Sequence, residues 1–185
     1  MTIGILALQG DFDAHARAFA EVGAETREVR MAADLAGCDA LVLPGGESTT
    51  MIKLLRAEKL WEPLRRFAAG KPVFATCAGA ILLAKGVTNP QQDALGIVDI
   101  DVERNAYGRQ LQSHVASIDV GGAPMEAVFI RAPVIRRVGD GVEVLASHRG
   151  DPVLVRQGKH FVATFHPELS PSRDLQRAFL DGVRN

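Results

Sequence analysis

Residues 73–83 read Val-Phe-Ala-Thr-Cys-Ala-Gly-Ala-Ile-Leu-Leu: a short apolar run with strand character, one sharp turn at Cys77, and the start of a helical run. The small residues Ala75, Ala78 and Gly79 let the backbone turn tightly there. A side chain on such a strand-to-helix turn is lifted out of the sheet to the mouth of a helix N-terminus, as in a nucleophile elbow, here with sulfur in place of oxygen. The unpaired N–H groups and the positive dipole end at that point favour a thiolate. Cys77 is therefore a candidate nucleophile. The plain alternative is a buried small hydrophobe, because free cysteine is commonly core.

Working outward, the same strand–turn–helix grammar recurs. Residues 2–8 form an almost wholly apolar run ending in Gln9-Gly10-Asp11, which suits a strand buried on both faces. Phe12, Ala16, Phe19, Ala20 and Val22 then recur at helical spacing, with Asp11 and Asp13 in the first turn and Gly23 placed to end the helix. Residues 26–30 suit a second strand. Residues 40–43 suit a third, which runs into Pro44-Gly45-Gly46-Glu47-Ser48-Thr49-Thr50 and a helical pattern through Met51, Leu54 and Leu55. Residues 61–69 are a further amphipathic helix closed by Gly70. This alternation predicts an α/β protein with three layers: a mixed, mostly parallel sheet with helices on both faces and functional loops at the carboxyl ends of its strands.

After Asn89-Pro90 the pattern changes to short runs rich in Val and Ile over 97–103, 111–120, 127–131, 142–147, 153–156 and 161–165. These predict antiparallel strands that extend the sheet or form a small second one. Ser170-Pro171 is placed to open a last helix whose Leu175, Phe179, Leu180 and Val183 share a face. A chain of 185 residues accommodates one well-filled core, so residues 1–185 are expected to form a single domain.

Composition narrows the function. A hydrophobic content of 47%, 23% charged residues and a formal net charge of −1 describe a soluble protein without the electrostatic footprint that nucleic acid or an anionic membrane requires. The first apolar run, residues 3–8, is too short for a signal or membrane segment, so a cytoplasmic location is expected. The two cysteines, Cys38 and Cys77, are expected to be reduced thiols. No CxxC, HxH or HExxH spacing suggests a metal site.

The remaining chemistry lies in Phe165-His166-Pro167-Glu168, directly after the predicted strand 161–165. In extended backbone, residues two apart project to one side, so His166 and Glu168 can act as a pair. A carboxylate that holds one imidazole nitrogen orients the histidine as a general base and stabilises its cation. Cys77, His166 and Glu168 would then form a cysteine triad. His15, His114, His148 and His160 show no such partner in sequence and are read as structural or surface residues. Gly45-Gly46 lacks the spacing and lysine of a phosphate cradle. It suits an oxyanion hole better, with a loop N–H aimed at the elbow and the Ala78 N–H as second donor.

As a set, Pro-Gly-Gly-Glu-Ser at 44–48, Thr-Cys-Ala-Gly at 76–79 and Phe-His-Pro-Glu at 165–168 resemble the triad-type, class I glutamine amidotransferases, whose fold is flavodoxin-like. Leu-Gln-Gly at 8–10, Gly-Glu-Ser-Thr-Thr-Met at 46–51, Val-Glu-Arg-Asn-Ala-Tyr-Gly-Arg-Gln at 102–110 and Phe-Ile-Arg-Ala-Pro at 129–133 narrow the resemblance. They are similar to the glutaminase subunits of the two-protein pyridoxal phosphate synthases, except that Ala75 stands where glycine is more frequent.

The resemblance implies a glutaminase that needs no cofactor. Cys77 would attack the side-chain amide of L-glutamine, Gly46 and Ala78 would hold the oxyanion, and Gly46, Glu47, Ser48, Arg104, Ile130 and Arg131 would line the substrate site. It also implies a hetero-oligomeric complex in which a barrel-fold synthase subunit uses the ammonia, and Gln9 and Gly45 as elements of a loop that moves on docking. No acceptor-binding domain is expected within these residues, in keeping with a separate synthase. Two other readings stand beside this one: the glutaminase of another biosynthetic pathway, and a non-catalytic flavodoxin-like module in which Cys77 senses redox state.

Overall fold

Buried strands and amphipathic helices alternate through the first half of the computed structural model, which describes residues 1–106 and 113–184. In order these are β1 (Thr2–Leu6), α1 (Phe12–Ala20), β2 (Glu25–Val29), a 3-10 turn (Ala32–Leu35), β3 (Ala40–Leu43), α2 (Ser48–Ala57), α3 (Trp61–Gly70), β4 (Val73–Thr76) and α4 (Ala78–Leu83). The second half is strand-rich: β5 (Ala84–Thr88), β6 (Val98–Glu103), β7 (His114–Val120), β8 (Ala123–Phe129), β9 (Val134–Val138), β10 (Val142–His148), β11 (Asp151–Gln157) and β12 (His160–Ala163), followed by α5 (Asp174–Arg184). Tyr107 to Gln110, and the first two residues of the strand predicted over 111–120, lie outside the described residues.

The main sheet has seven strands in the order β10-β11-β12-β4-β3-β1-β2. From β12 to β2 every neighbour is parallel, and β11 and β10 add antiparallel strands at one edge. Alternate side chains of each central strand feed opposite cores. Leu41, Leu43, Val73 and Ala75 pack with Met51, Leu55, Leu64 and Leu82 of α2, α3 and α4. Ala40, Val42 and Phe74 pack with Phe19 of α1 and Phe179 of α5, and these three aromatic rings meet edge to face. The predicted three-layer α/β architecture, mostly parallel with helices on both faces, is the one observed.

The strand-rich half does both things the sequence left open. β10 and β11 extend the main sheet, while β5, β6 and β9 form a second sheet and β7 and β8 a separate hairpin. Two strands were not anticipated. β5 follows α4 without a break, because Ala84 leaves the helix in extended conformation and the short α4 looks in sequence like the beginning of a longer apolar helix. β9 carries two charged residues in its centre, and Arg137 pairs there with Asp99 and Asp101 beside it. The last helix starts at Asp174, later than Ser170-Pro171 suggests, and Ser172 Oγ accepts the Asp174 N–H at 3.1 Å. No helix among the described residues is long and apolar enough to cross a membrane.

Candidate active site

At the end of β4 the chain makes the sharp turn that the small residues permit. Cys77 has φ 49° and ψ −105°, a conformation that costs an L-residue about 1–3 kcal/mol and persists only where the surroundings enforce it. Two contacts do so: the Cys77 N–H donates to Ala163 O on β12 at 2.9 Å, and the Cys77 carbonyl accepts the Ala80 and Ile81 N–H groups of α4. The side chain is nearly buried, with Sγ 3.9 Å from the carbonyl of Ile130.

His166 and Glu168 pair, though by a route other than extended backbone. β12 ends at Ala163, and the following chain turns, with the Leu169 N–H donating to His166 O at 3.2 Å. The His166 N–H donates to Val128 O of β8 at 2.8 Å, which fixes the turn against the hairpin. Within it, His166 Nδ1 lies 2.7 Å from Glu168 Oε1. Burial pushes the His166 pKa down, but its hydrogen bonds to Cys77 and Glu168 outweigh that and hold it well above the ordinary value of 6.5. Burial pushes Glu168 up, and His15 and His166 together pull it below the usual carboxylate range. The result is a buried imidazolium between a carboxylate and a thiol, an arrangement able to deliver a proton and to support a thiolate.

The thiol and imidazole open into a cavity of about 1070 Å³ at the carboxyl ends of β3 and β4. Gly45 lies against His166: a Cβ there would sit 2.4 Å from Cε1 of the ring, so only glycine allows this approach. Gly46 takes a φ of 148°, and the next N–H, that of Glu47, donates to Gln9 Oε1 at 2.9 Å. Glu47 also caps α2, accepting from the Thr49 and Thr50 N–H groups at 3.0 and 2.7 Å. Burial pushes its carboxyl up, but the bonds from Thr50 and Thr49 prevail and lower its pKa to about 2. Arg104 donates to Thr49 Oγ1 at 2.9 Å and lies 3.4 Å from Glu47 Oε1, which presents its guanidinium to the cavity.

Ser48, Ile130 and Arg131 also line the cavity. Arg131 has φ 45° and an exposed side chain. Each predicted site residue with a side chain or backbone at the surface of the cavity is thus gathered there. Glu168 stands behind His166, and Ala78 is the buried first residue of α4, whose N–H has no partner inside its own helix.

Three participants escaped the sequence reading. His15, for which the sequence suggests only a structural or surface place, is fully buried on α1 with Nε2 3.3 Å from Glu168 Oε2. The only local signal is its position three residues after Phe12 and four before Phe19, on the inward face of the helix. Gln92 accepts the Ser48 hydroxyl at 3.0 Å, and Val128 supplies a backbone carbonyl; neither has a sequence signature.

A mostly parallel sheet with helices on both faces, with a cysteine on the β4–α4 turn and a histidine–glutamate pair beside it, defines a class I glutamine amidotransferase fold. Among solved structures, one titled "Crystal structure of glutamine amidotransferase" is 47% identical, with a TM-score of 0.92 and 99% of each chain covered. The fold extends to one titled "Structure of PurLQS from Thermotoga maritima", at 16% identity and a TM-score of 0.70 over 97% of each chain. The chain itself belongs to the SNO glutamine amidotransferase family, whose model matches residues 5–184. It is 55% identical over 186 residues to a protein of Solibacter usitatus, covering 96% of this chain and 97% of that one. It is 50% identical to one of Thermotoga neapolitana, covering 100% of both. Both relatives are named pyridoxal 5'-phosphate synthase subunit PdxT.

Proposed function

We propose that this chain is the glutaminase of a pyridoxal 5'-phosphate synthase, with residues 1–185 acting as one glutaminase domain. It hydrolyses L-glutamine to L-glutamate and ammonia and passes the ammonia to a synthase subunit. The observation that carries the reading is a thiol on a strand-to-helix elbow that shares one cavity with a carboxylate-held imidazole: Cys77 and His166 both line that cavity, and His166 Nδ1 lies 2.7 Å from Glu168 Oε1.

In this mechanism the Cys77 thiolate attacks the carboxamide carbon, and the N–H groups of Gly46 and Ala78 hold the developing oxyanion. The C–N bond breaks as His166 gives its proton to the departing ammonia, leaving a thioester on Cys77. Neutral His166 then takes a proton from water, hydroxide attacks the thioester, the C–S bond breaks, and glutamate leaves with the thiolate restored. Each oxyanion donor is expected to contribute roughly a hundredfold to a thousandfold in turnover. The substrate carboxylate meets Arg104 and Arg131, and Glu47, Ser48 and Ile130 complete the recognition of the amino acid.

The relatives' name, a subunit of pyridoxal 5'-phosphate synthase, supports a complex with a further subunit, and the sequence resemblance makes that partner a barrel-fold synthase. The Gln9 bond to the Glu47 N–H supports Gln9 and Gly45 as the parts that rearrange when the partner docks. A cytoplasmic location accords with this role. Ammonia release from glutamine, measured for the chain alone and with a pyridoxal phosphate synthase subunit, tests the reading. Release that rises with the partner and vanishes in Cys77→Ala is expected. Full release without the partner would point to another glutaminase pathway, and none in either condition would overturn the glutaminase reading.

A further inference from the structure

We propose that His15 is a positioning residue for the triad: from α1 its Nε2 reaches both Thr76, the residue before Cys77, and Glu168, the carboxylate that holds His166. The inference rests on the glutaminase reading for its consequence in turnover, but its geometry is independent of the substrate. Nε2 lies 3.0 Å from Thr76 Oγ1 and 3.3 Å from Glu168 Oε2. The His15 and Glu168 side chains are both fully buried. Oε2 has no hydrogen-bond partner among the described residues, so the nearby Nε2 is its electrostatic support. Nδ1 of His15 faces no partner there either. The oxygens around Nε2 therefore favour the tautomer with its proton on that nitrogen, donating to Thr76 and facing the carboxylate.

A buried carboxylate with one oxygen bonded and the other bare is poorly held in charge and in orientation. Glu168 Oε1 is committed to His166 Nδ1. The Oε2 side depends on His15. The titratable groups that meet here are His15 on α1, Cys77 after β4, and His166 and Glu168 after β12. His15 touches neither sulfur nor cavity, so it acts through Glu168. By tying the residue before the nucleophile to the carboxylate behind the base, it fixes the two halves of the site to one helix. A weaker hold on Glu168 would release the His166 proton at lower pH and leave less thiolate to react on the acid side.

The test is the rate of Cys77 alkylation by iodoacetamide across pH, quantified on the Cys77 peptide so that Cys38 does not contribute. His15→Leu is compared with His15→Gln, which restores an N–H close to the place of Nε2. Stripping a buried carboxylate oxygen of the one polar group that faces it corresponds to roughly ten- to a hundredfold. The expected result is slowing of that order in His15→Leu below neutral pH, an upward shift of the acid limb, and recovery in His15→Gln. Where His15→Leu does not fold, His15→Asn, too short to reach either oxygen, takes its place with the same expectation.

A pH profile unchanged by Leu or Asn would overturn the proposal. So would equal slowing in Gln with an unmoved acid limb, because that is a packing effect. Glutamine turnover by the unaltered protein separates the two readings. A protein inactive both alone and with the synthase subunit, whose alkylation still depends on His15, supports the positioning role and overturns the glutaminase reading, whereas an active one indifferent to His15 overturns the positioning role alone.

Discussion

His166 sits where burial alone would keep it neutral, and its two partners reverse that outcome. A histidine raised above its unfolded value stabilises the fold in full below pH 6.5, and that contribution is lost as pH rises through the raised folded value. Glu168 has the opposite sign: its depressed pKa contributes stability above the ordinary carboxylate range, lost as pH falls through the folded value. The pair is therefore most firmly held across neutral pH, where His166 keeps the proton that a departing amine requires. Cys77→Ala removes one of the two partners that sustain the imidazolium. The NMR titration midpoint of His166 should fall in that variant relative to the unaltered protein. A midpoint that stays in place would mean that Glu168 alone sets the charge, and that the sulfur does not share the proton.

The elbow is built by three elements rather than by Cys77. α4 lies so close to β3 that a Cβ on Gly79 would sit 2.2 Å from the Leu43 carbonyl oxygen, a backbone atom that cannot swing aside. Gly79→Ala should lower stability by about 1–3 kcal/mol as the helix is forced off the sheet. Urea denaturation checks this through a lower midpoint at unchanged slope, and an unchanged midpoint would show that α4 can slide without cost.

This element was legible in the sequence because its signals are local: small residues around a cysteine, an apolar run before it, a helical run after it. His166 and Glu168 were legible for the same reason, although the chain joins them through a turn and not through the extended backbone their spacing suggested. His15 was not, because a polar residue on the inward face of a helix states only that it is buried. Its partners lie 61 residues away at Thr76 and farther still at Glu168. β5 was hidden by an ambiguity of short apolar runs, since Ile81 to Ala84 suits a helix and a buried strand equally.

The carboxyl ends of β3, β4 and β12 lie together at one end of the main sheet, and the hairpin β7–β8 packs against it beside the edge strand β10. Its packing is one-sided: Ile118, Ala127 and Phe129 are buried against the sheet, whereas Val115 is 60% exposed. The central strands, packed on both faces, are the ones that should open only with the whole molecule, and the hairpin has far less holding it. Yet it supplies the Val128 carbonyl that takes the His166 N–H, and the chain leaving it brings the Ile130 carbonyl to Cys77. The site thus joins a rigid half, which carries the nucleophile, to a half of lower stability that fixes the backbone of the base. Hydrogen exchange distinguishes this from a uniformly stable fold. Amides of β1, β3 and β4 should exchange slowest and those of β7 and β8 faster, with the His166 amide following the hairpin to which it bonds rather than the neighbouring strand β12. A His166 amide as slow as those of β12 would mean that the hairpin never opens by itself, and that the base is held as rigidly as the nucleophile.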